Sequence, residues 1–171
     1  MVRPSQASLT AEQILHGWIP RRVGRVVWVF DEVESTNTLA LDAVDSPDAD
    51  GLVILADAQS QGRGRLGRTW YSPRGASVLC SVILVGRSVL VENPADRDSC
   101  WSKADAHARM SAFLTHVTAV AACDAIRQST DITPAIKWPN DLRHGGRKLG
   151  GILIESRALT NGRQAWVVGI G

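Results

Sequence analysis

The chain has 171 residues, 44% of them hydrophobic and 21% charged. That is the length of one domain and a composition that excludes intrinsic disorder. No apolar run reaches the ~18 residues of a membrane span, and residues 1–18 lack the apolar stretch of a signal peptide, so neither membrane nor export is expected. Nineteen basic and 17 acidic residues leave a net charge of +2, too little to argue for nucleic acid by itself.

Residues 8–18 predict a short helix, with Thr10 as cap and Gln13 three positions on. Residues 25–30 (RVVWVF) read as a strand. Ser35-Thr36-Asn37 offers capping groups for a helix reaching Val44. Residues 52–56 predict a second strand, followed by a glycine- and arginine-rich loop at 62–68 and a largely buried strand at 77–85. Mixed charge and Pro94 make 86–110 a long surface loop. Residues 111–128 carry the clearest helical periodicity. Strands at 135–138 and 149–155 read as a hairpin through Asn140-Asp141 and Gly145-Gly146, and a last strand covers 164–168, near a sheet edge. Helices and strands do not alternate strictly. The expected class is α+β: a mixed, largely antiparallel sheet with helices on one face.

Cys80, Cys100 and Cys123 are odd in number and widely spaced, which fits reduced thiols in the cytoplasm. The four histidines have no metal-ligand spacing.

Gly62, Gly64 and Gly67 satisfy G-x-G-x-x-G. A dinucleotide site needs a helix next and an acid about 20 residues on. Here Thr69–Pro73 does not start a helix, and the next acid is Glu92. What remains is Arg63, Arg65 and Arg68 spaced by glycines, with Trp70 behind them. Such a loop can fold over an anion, since guanidinium forks grip phosphate or carboxylate. A solvated basic turn and a single-stranded nucleic-acid contact are the alternatives. In IKWPND, Lys137 ends a strand beside Trp138, and one of the two is expected to point inward. Lys137 is then either a snorkelling lysine or a fixed cation that stabilises charge on a transferring group. Gly150 and Gly151 interrupt a strand, for close approach of a ligand or for a bulge.

Four blocks, taken together, resemble the catalytic domain of biotin protein ligases (biotin–[acetyl-CoA-carboxylase] ligases). They are Ser35-Thr36-Asn37, QSQGRGRLGRTW over 59–70, KWPND over 137–141 and KLGGILIE over 148–155. WVVGIG at 166–171 is similar to that family's next strand and glycine turn. The resemblance implies the class II aminoacyl-tRNA synthetase/biotin ligase fold. It also implies a two-step reaction. Biotin and ATP give biotinyl-5′-AMP and pyrophosphate; a lysine of the biotin carboxyl carrier protein of acetyl-CoA carboxylase then takes the biotin. ATP, Mg²⁺ and biotin are the implied ligands.

Carried onto this chain, the resemblance makes Lys137, Arg63 and Arg65 catalytic. Ser35, Thr36, Asn37, Gln59, Gly62, Gly64, Gly151 and Gly169 would hold biotin. Arg65, Arg68, Trp70, Lys137, Asn140 and Lys148 would hold the nucleotide, with Trp70 against adenine. Asp141 would orient Lys137 or help hold magnesium. Residues 1–24 would be an N-terminal extension and 25–171 a C-terminally incomplete catalytic domain. No winged-helix module precedes the first strand, so no DNA partner is expected, and a homodimer through paired sheets is left open. A lipoate–protein ligase and a truncated, non-catalytic biotin-binding module are the competing readings.

Overall fold

The computed structural model describes residues 10–87 and 103–171. Its frame is a seven-stranded sheet in the order β1-β2-β3-β7-β6-β5-β4. The strands are β1 (Val27–Phe30), β2 (Val53–Ala56), β3 (Leu79–Arg87), β4 (Ala135–Lys137), β5 (Asp141–His144), β6 (Arg147–Ala158) and β7 (Arg163–Ile170). β1 and β2 are parallel; every other neighbouring pair is antiparallel.

Three helices join them: α1 (Ala11–Leu15), α2 (Thr36–Ala43) and α3 (Lys103–Ser129). Thr10 and Gln13 form the expected capping box on α1. Ser35, extended at φ −158° and ψ 133°, caps α2 by accepting from the Thr38 amide at 3.5 Å. α3 begins well inside the stretch expected to be loop. Its first turns (KADAHARM) read as mixed charge because they lack a continuous apolar stripe. The rest of that expected loop, 88–102, lies outside the described residues.

The mixed, largely antiparallel sheet agrees with the sequence reading; the helices divide differently. Strand side chains alternate between faces. Ala165 and Val167 of β7 join Ile54, Ile83, Ala40 and Val44 in a core under α2. Ile152 and Leu142 pack with Ala119 and Cys123 of α3, with Ile154 against them. Ile154 pairs in register with Val168, so the even positions of β7 face α3. α2 and α3 therefore cover opposite faces. Each fully buried Ile, Val or Leu contributes roughly 1.5–3 kcal/mol, and β7 is buried along almost its whole length, with Ala165 and Val167 in the core under α2.

Two further expectations change. β7 is not at an edge: it lies between β3 and β6, and Gln164–Gly169 are all buried. A strand apolar on both faces belongs in the middle of a sheet. The connector after Pro139 is itself a strand, β5. Only Leu142 of its four residues is buried, and glycines at φ +55° and +77° make the two-residue turn to β6.

Candidate active site

The polar groups that the motifs single out meet on the α2 face. The Thr36 amide and hydroxyl both donate to Gln59 Oε1, at 2.7 and 3.0 Å. Ser81 Oγ lies 2.8 Å from Thr36 Oγ1 and donates to Asn37 Oδ1 at 2.6 Å. Asn37 Nδ2 donates to Glu155 Oε2 at 2.8 Å. The hydroxyl on one side and the carboxylate on the other fix which way the Asn37 amide points. That amide lies flat on Gly169, where a Cβ would run into it. Ser35, Thr36, Asn37 and Ser81 are all buried. They form a polar floor whose hydrogen bonds are largely satisfied within the protein.

The glycine-arginine loop folds back on itself as a small hairpin. The Trp70 amide donates to Gly62 O at 2.8 Å and the Gly64 amide to Arg68 O at 2.7 Å, with Arg63 bridging Thr69. Its tip is a 3₁₀ turn at Arg65–Gly67, where Leu66 has φ +59° and is 89% exposed. Arg63 pairs with Glu155 at 2.8 Å, and Arg65 donates to Asn140 Oδ1 at 3.1 Å. Asn140 is itself tied to Ile152 of β6 by two hydrogen bonds. The Arg68 side chain has no ion-pair or hydrogen-bond partner among the described residues.

Trp70 lies over the sheet where side chains are missing. A Cβ at Gly151 or Gly171 would press on its ring, at 3.3 and 2.8 Å. Lys148 Nζ sits 5.0 Å from the ring centroid and 2.8 Å from Asp141 Oδ1. The bulge reading of the paired glycines holds, since the β5–β6 register slips at Leu142/Arg143, and the group that approaches Gly151 is the protein's own indole. The indole Nε1 is buried without a partner. Trp70, Lys148, Thr36, Asn37 and Gln59 leave a cavity of only about 60 Å³ between them. An open groove of about 620 Å³ runs alongside the loop. Gly64, Arg65 and Leu153 line both, so the loop is the partition between them.

Lys137 is placed on this face by register, since Lys137 pairs with Asp141 and Asp141 with Gly151. The expectation that Lys137 or Trp138 points inward is corrected. All of β4 is exposed, and Trp138 is 75% exposed. A three-residue edge strand has no layer beyond it to bury either side chain. The Lys137 side chain has no ion-pair or hydrogen-bond partner among the described residues, and the Asp141 carboxylate is engaged by Lys148 rather than by Lys137. The cations thus fall into two groups. Arg63 and Lys148 are neutralised by carboxylates, whereas Arg65, Arg68 and Lys137 carry uncompensated charge toward the open side.

The sequence reading gave no role to Ser81 or Glu155. Each is a polar residue in an apolar strand, SVLCSVILV and GGILIE, and that interruption is the available signal. No group of three His, Cys, Asp or Glu side chains able to hold a metal ion exists among the described residues. Cys80 lies on β3 facing away from the floor, and burial pushes its thiol up to about 12.

The arrangement has counterparts in known proteins. The bifunctional ligase/repressor BirA of Bacillus subtilis is 30% identical over 163 residues, 95% of this chain and 45% of that protein. The biotin–[acetyl-CoA-carboxylase] ligase of Paracoccus denitrificans is 36% identical over 141 residues, 81% of this chain and 50% of that protein. Biotin protein ligase from Aquifex aeolicus, solved in complex with biotin and ATP, superposes with a TM-score of 0.57 at 26% identity, over 86% of this chain and 52% of that one. The chain spans about half the length of these relatives. Residues 29–93 and 99–171, which hold the floor, the loop, the β4–β5 turn and β7, match one family throughout, and the chain belongs to that family, the biotin/lipoate A/B protein ligases.

Proposed function

We propose that this chain carries the acid-activating site of an ATP-dependent biotin–protein ligase. The observation that carries the reading is the meeting of a buried polar floor with three uncompensated cations on one sheet face. The floor suits a small neutral ring that offers N–H and C=O groups. The cations suit a carboxylate and a triphosphate. The family membership and the names of the relatives support biotin as the acid.

In the first step a biotin carboxylate oxygen attacks the α-phosphorus of ATP. An O–P bond forms, and the P–O bond to pyrophosphate breaks. Charge builds on the α-phosphate and leaving oxygens, and fixed cations stabilise it more than any protein nucleophile would. Lys137, Arg65 and Arg68 are the groups free to do this. Trp70 offers its indole face to the adenine once the loop has moved, and Lys148 borders it. In the second step the amine of a carrier-protein lysine attacks the acyl carbon. AMP leaves, and the nitrogen loses a proton. The carrier in this reading is the biotin carboxyl carrier protein of acetyl-CoA carboxylase, and the setting is the cytoplasm.

Magnesium belongs to the reading as an ion carried on the nucleotide's phosphates, which such ions ligate together with water and one or two carboxylates. Asp141 and Glu155 are the carboxylates at hand, and each already holds a protein cation. Magnesium would add charge neutralisation at the phosphates.

The test is to mix the chain with biotin, ATP and Mg²⁺ and to read biotinyl-5′-AMP by mass spectrometry beside pyrophosphate release. Both products, biotinyl-5′-AMP and pyrophosphate, are expected. Lipoyl-AMP formed in preference to biotinyl-AMP would move the chain to the lipoate side of its family. Biotin bound without adenylate would make it a binding module.

A further inference from the structure

We infer that Glu155 is the positioning residue of this site: its carboxylate holds the root of the glycine-arginine loop in place through Arg63. Its influence on ligand rests on the biotin-ligase reading; its influence on the loop does not.

Glu155 follows five apolar or glycine positions in GGILIE and projects to the α2 face, opposite Val167 in register. A partly buried carboxylate gains from donors that replace its lost water. It has two on the same oxygen, Asn37 Nδ2 and an Arg63 guanidinium nitrogen, each at 2.8 Å. One atom therefore joins three elements: the start of α2, the loop and β6. Arg63 stands at the loop's root, bridging Thr69 between the Gly62–Trp70 and Gly64–Arg68 hydrogen bonds. Among the described residues, the side chains of 62–69 make two polar contacts to the sheet and its turns, Arg63–Glu155 at the root and Arg65–Asn140 near the tip. The root contact is the ionic one of the two.

The pairing also separates the arginines by role. A ligand carboxylate that took Arg63 would leave Glu155 unpaired beside a like charge. Arg63 therefore stays on Glu155, and Arg65 and Arg68 are left for the anion. This withdraws Arg63 from the catalytic set that the resemblance implies and makes it the partner of a positioning residue.

The experiment uses the ligand-free chain with E155Q, R63Q and the double variant. E155Q retains an acceptor for Asn37 and loses only the charge. Trypsin cleavage after Arg65 and Arg68 is timed under native conditions, with cleavage after Arg127 as the reference site. The expected result is about fivefold faster loop cleavage in E155Q, an unchanged rate at Arg127, and a double variant no faster than either single one. Kinetics of adenylate formation give the second readout, in which E155Q raises KM for biotin by a similar factor and changes kcat less. Unchanged loop cleavage, equal acceleration at Arg127, or additive single effects would each overturn the proposal. A wild-type chain that fails to bind biotin would count against the biotin reading, while the cleavage rates would still decide whether Glu155 holds the loop.

Discussion

The floor and the roof of this site are built in opposite ways. The floor, Thr36, Asn37, Gln59 and Ser81 with Gly169 beneath, is knitted by hydrogen bonds of 2.6–3.0 Å and rests on a packed core. The roof, residues 62–70, has an exposed tip and two polar side-chain tethers. A satisfied, buried network fixes shape in advance and rejects ligands that leave its groups unpaired. A lightly tethered cationic hairpin can yield, let a ligand in and close on its charge. On the biotin-ligase reading proposed above, recognition of the ring would belong to the floor, and retention of the reacting anion to the roof.

Lys137→Ala is the strongest attack on this division, because Lys137 belongs to neither floor nor roof and yet carries free charge. Loss of one preorganised charge stabiliser costs about 10²–10³ in rate. The expected outcome is a loss of pyrophosphate release of that size with an unchanged melting temperature, since the side chain is exposed on an edge strand. Normal pyrophosphate release would remove Lys137 from the chemistry. Gly169→Ala sharpens the floor: the new methyl meets the Asn37 amide. Overpacking of this kind costs about 1–3 kcal/mol, and both melting temperature and biotin affinity should fall together. A fall in one without the other would separate the floor from ring recognition. Arg65→Ala releases the tip from Asn140. The adenylate should then dissociate roughly fivefold faster, as befits loss of a single exposed hydrogen bond, and its formation should slow as one of the three free cations is lost. An unchanged off-rate would show that the tip does not retain the adenylate.

The smallest effect is a control outside both regions. The Arg22 guanidinium holds the Asp50 carboxyl below its ordinary value of 3.8, chiefly by a hydrogen bond; burial opposes this, and the Val85 amide adds to the lowering. A lowered carboxylate contributes stability above its unfolded value and loses it as pH falls through the folded one. Wild-type melting temperature should therefore drop on acidification below about pH 4, and Asp50→Asn should drop less steeply, with adenylate formation unaltered. Equal slopes would place the acid sensitivity elsewhere.

What could be read from the sequence follows the same line. The floor's Thr36, Asn37 and Gln59, the loop and the KWPND turn were legible because short motifs carried them. The strands with period-two or continuous apolar patterns, β1, β2, β3, β6 and β7, were legible too, to within a few residues. β5 was not: DLRH is short, polar and flanked by turn residues on both sides, so it reads as a connector, and only its pairing with β6 gives Leu142 a core to enter. The placement of β7 was missed because order in a sheet is a tertiary fact, although its unbroken AWVV run fits the interior better than an edge. Ser81 and Glu155 were passed over for the opposite reason. Each sits alone in an apolar strand, and only the folded chain brings each within reach of Asn37.

β7 also sets the clock of the molecule. It belongs to both cores and ends beneath Asn37 at Gly169. Exposing its amides to exchange with deuterium requires both cores to part, so they exchange with global unfolding, while amides of the loop tip exchange through local opening. Between two unfolding events the floor is expected to hold one shape while the roof opens many times. If the chain forms the proposed adenylate, the loop would set that ligand's residence time, whatever the stability of the fold beneath it.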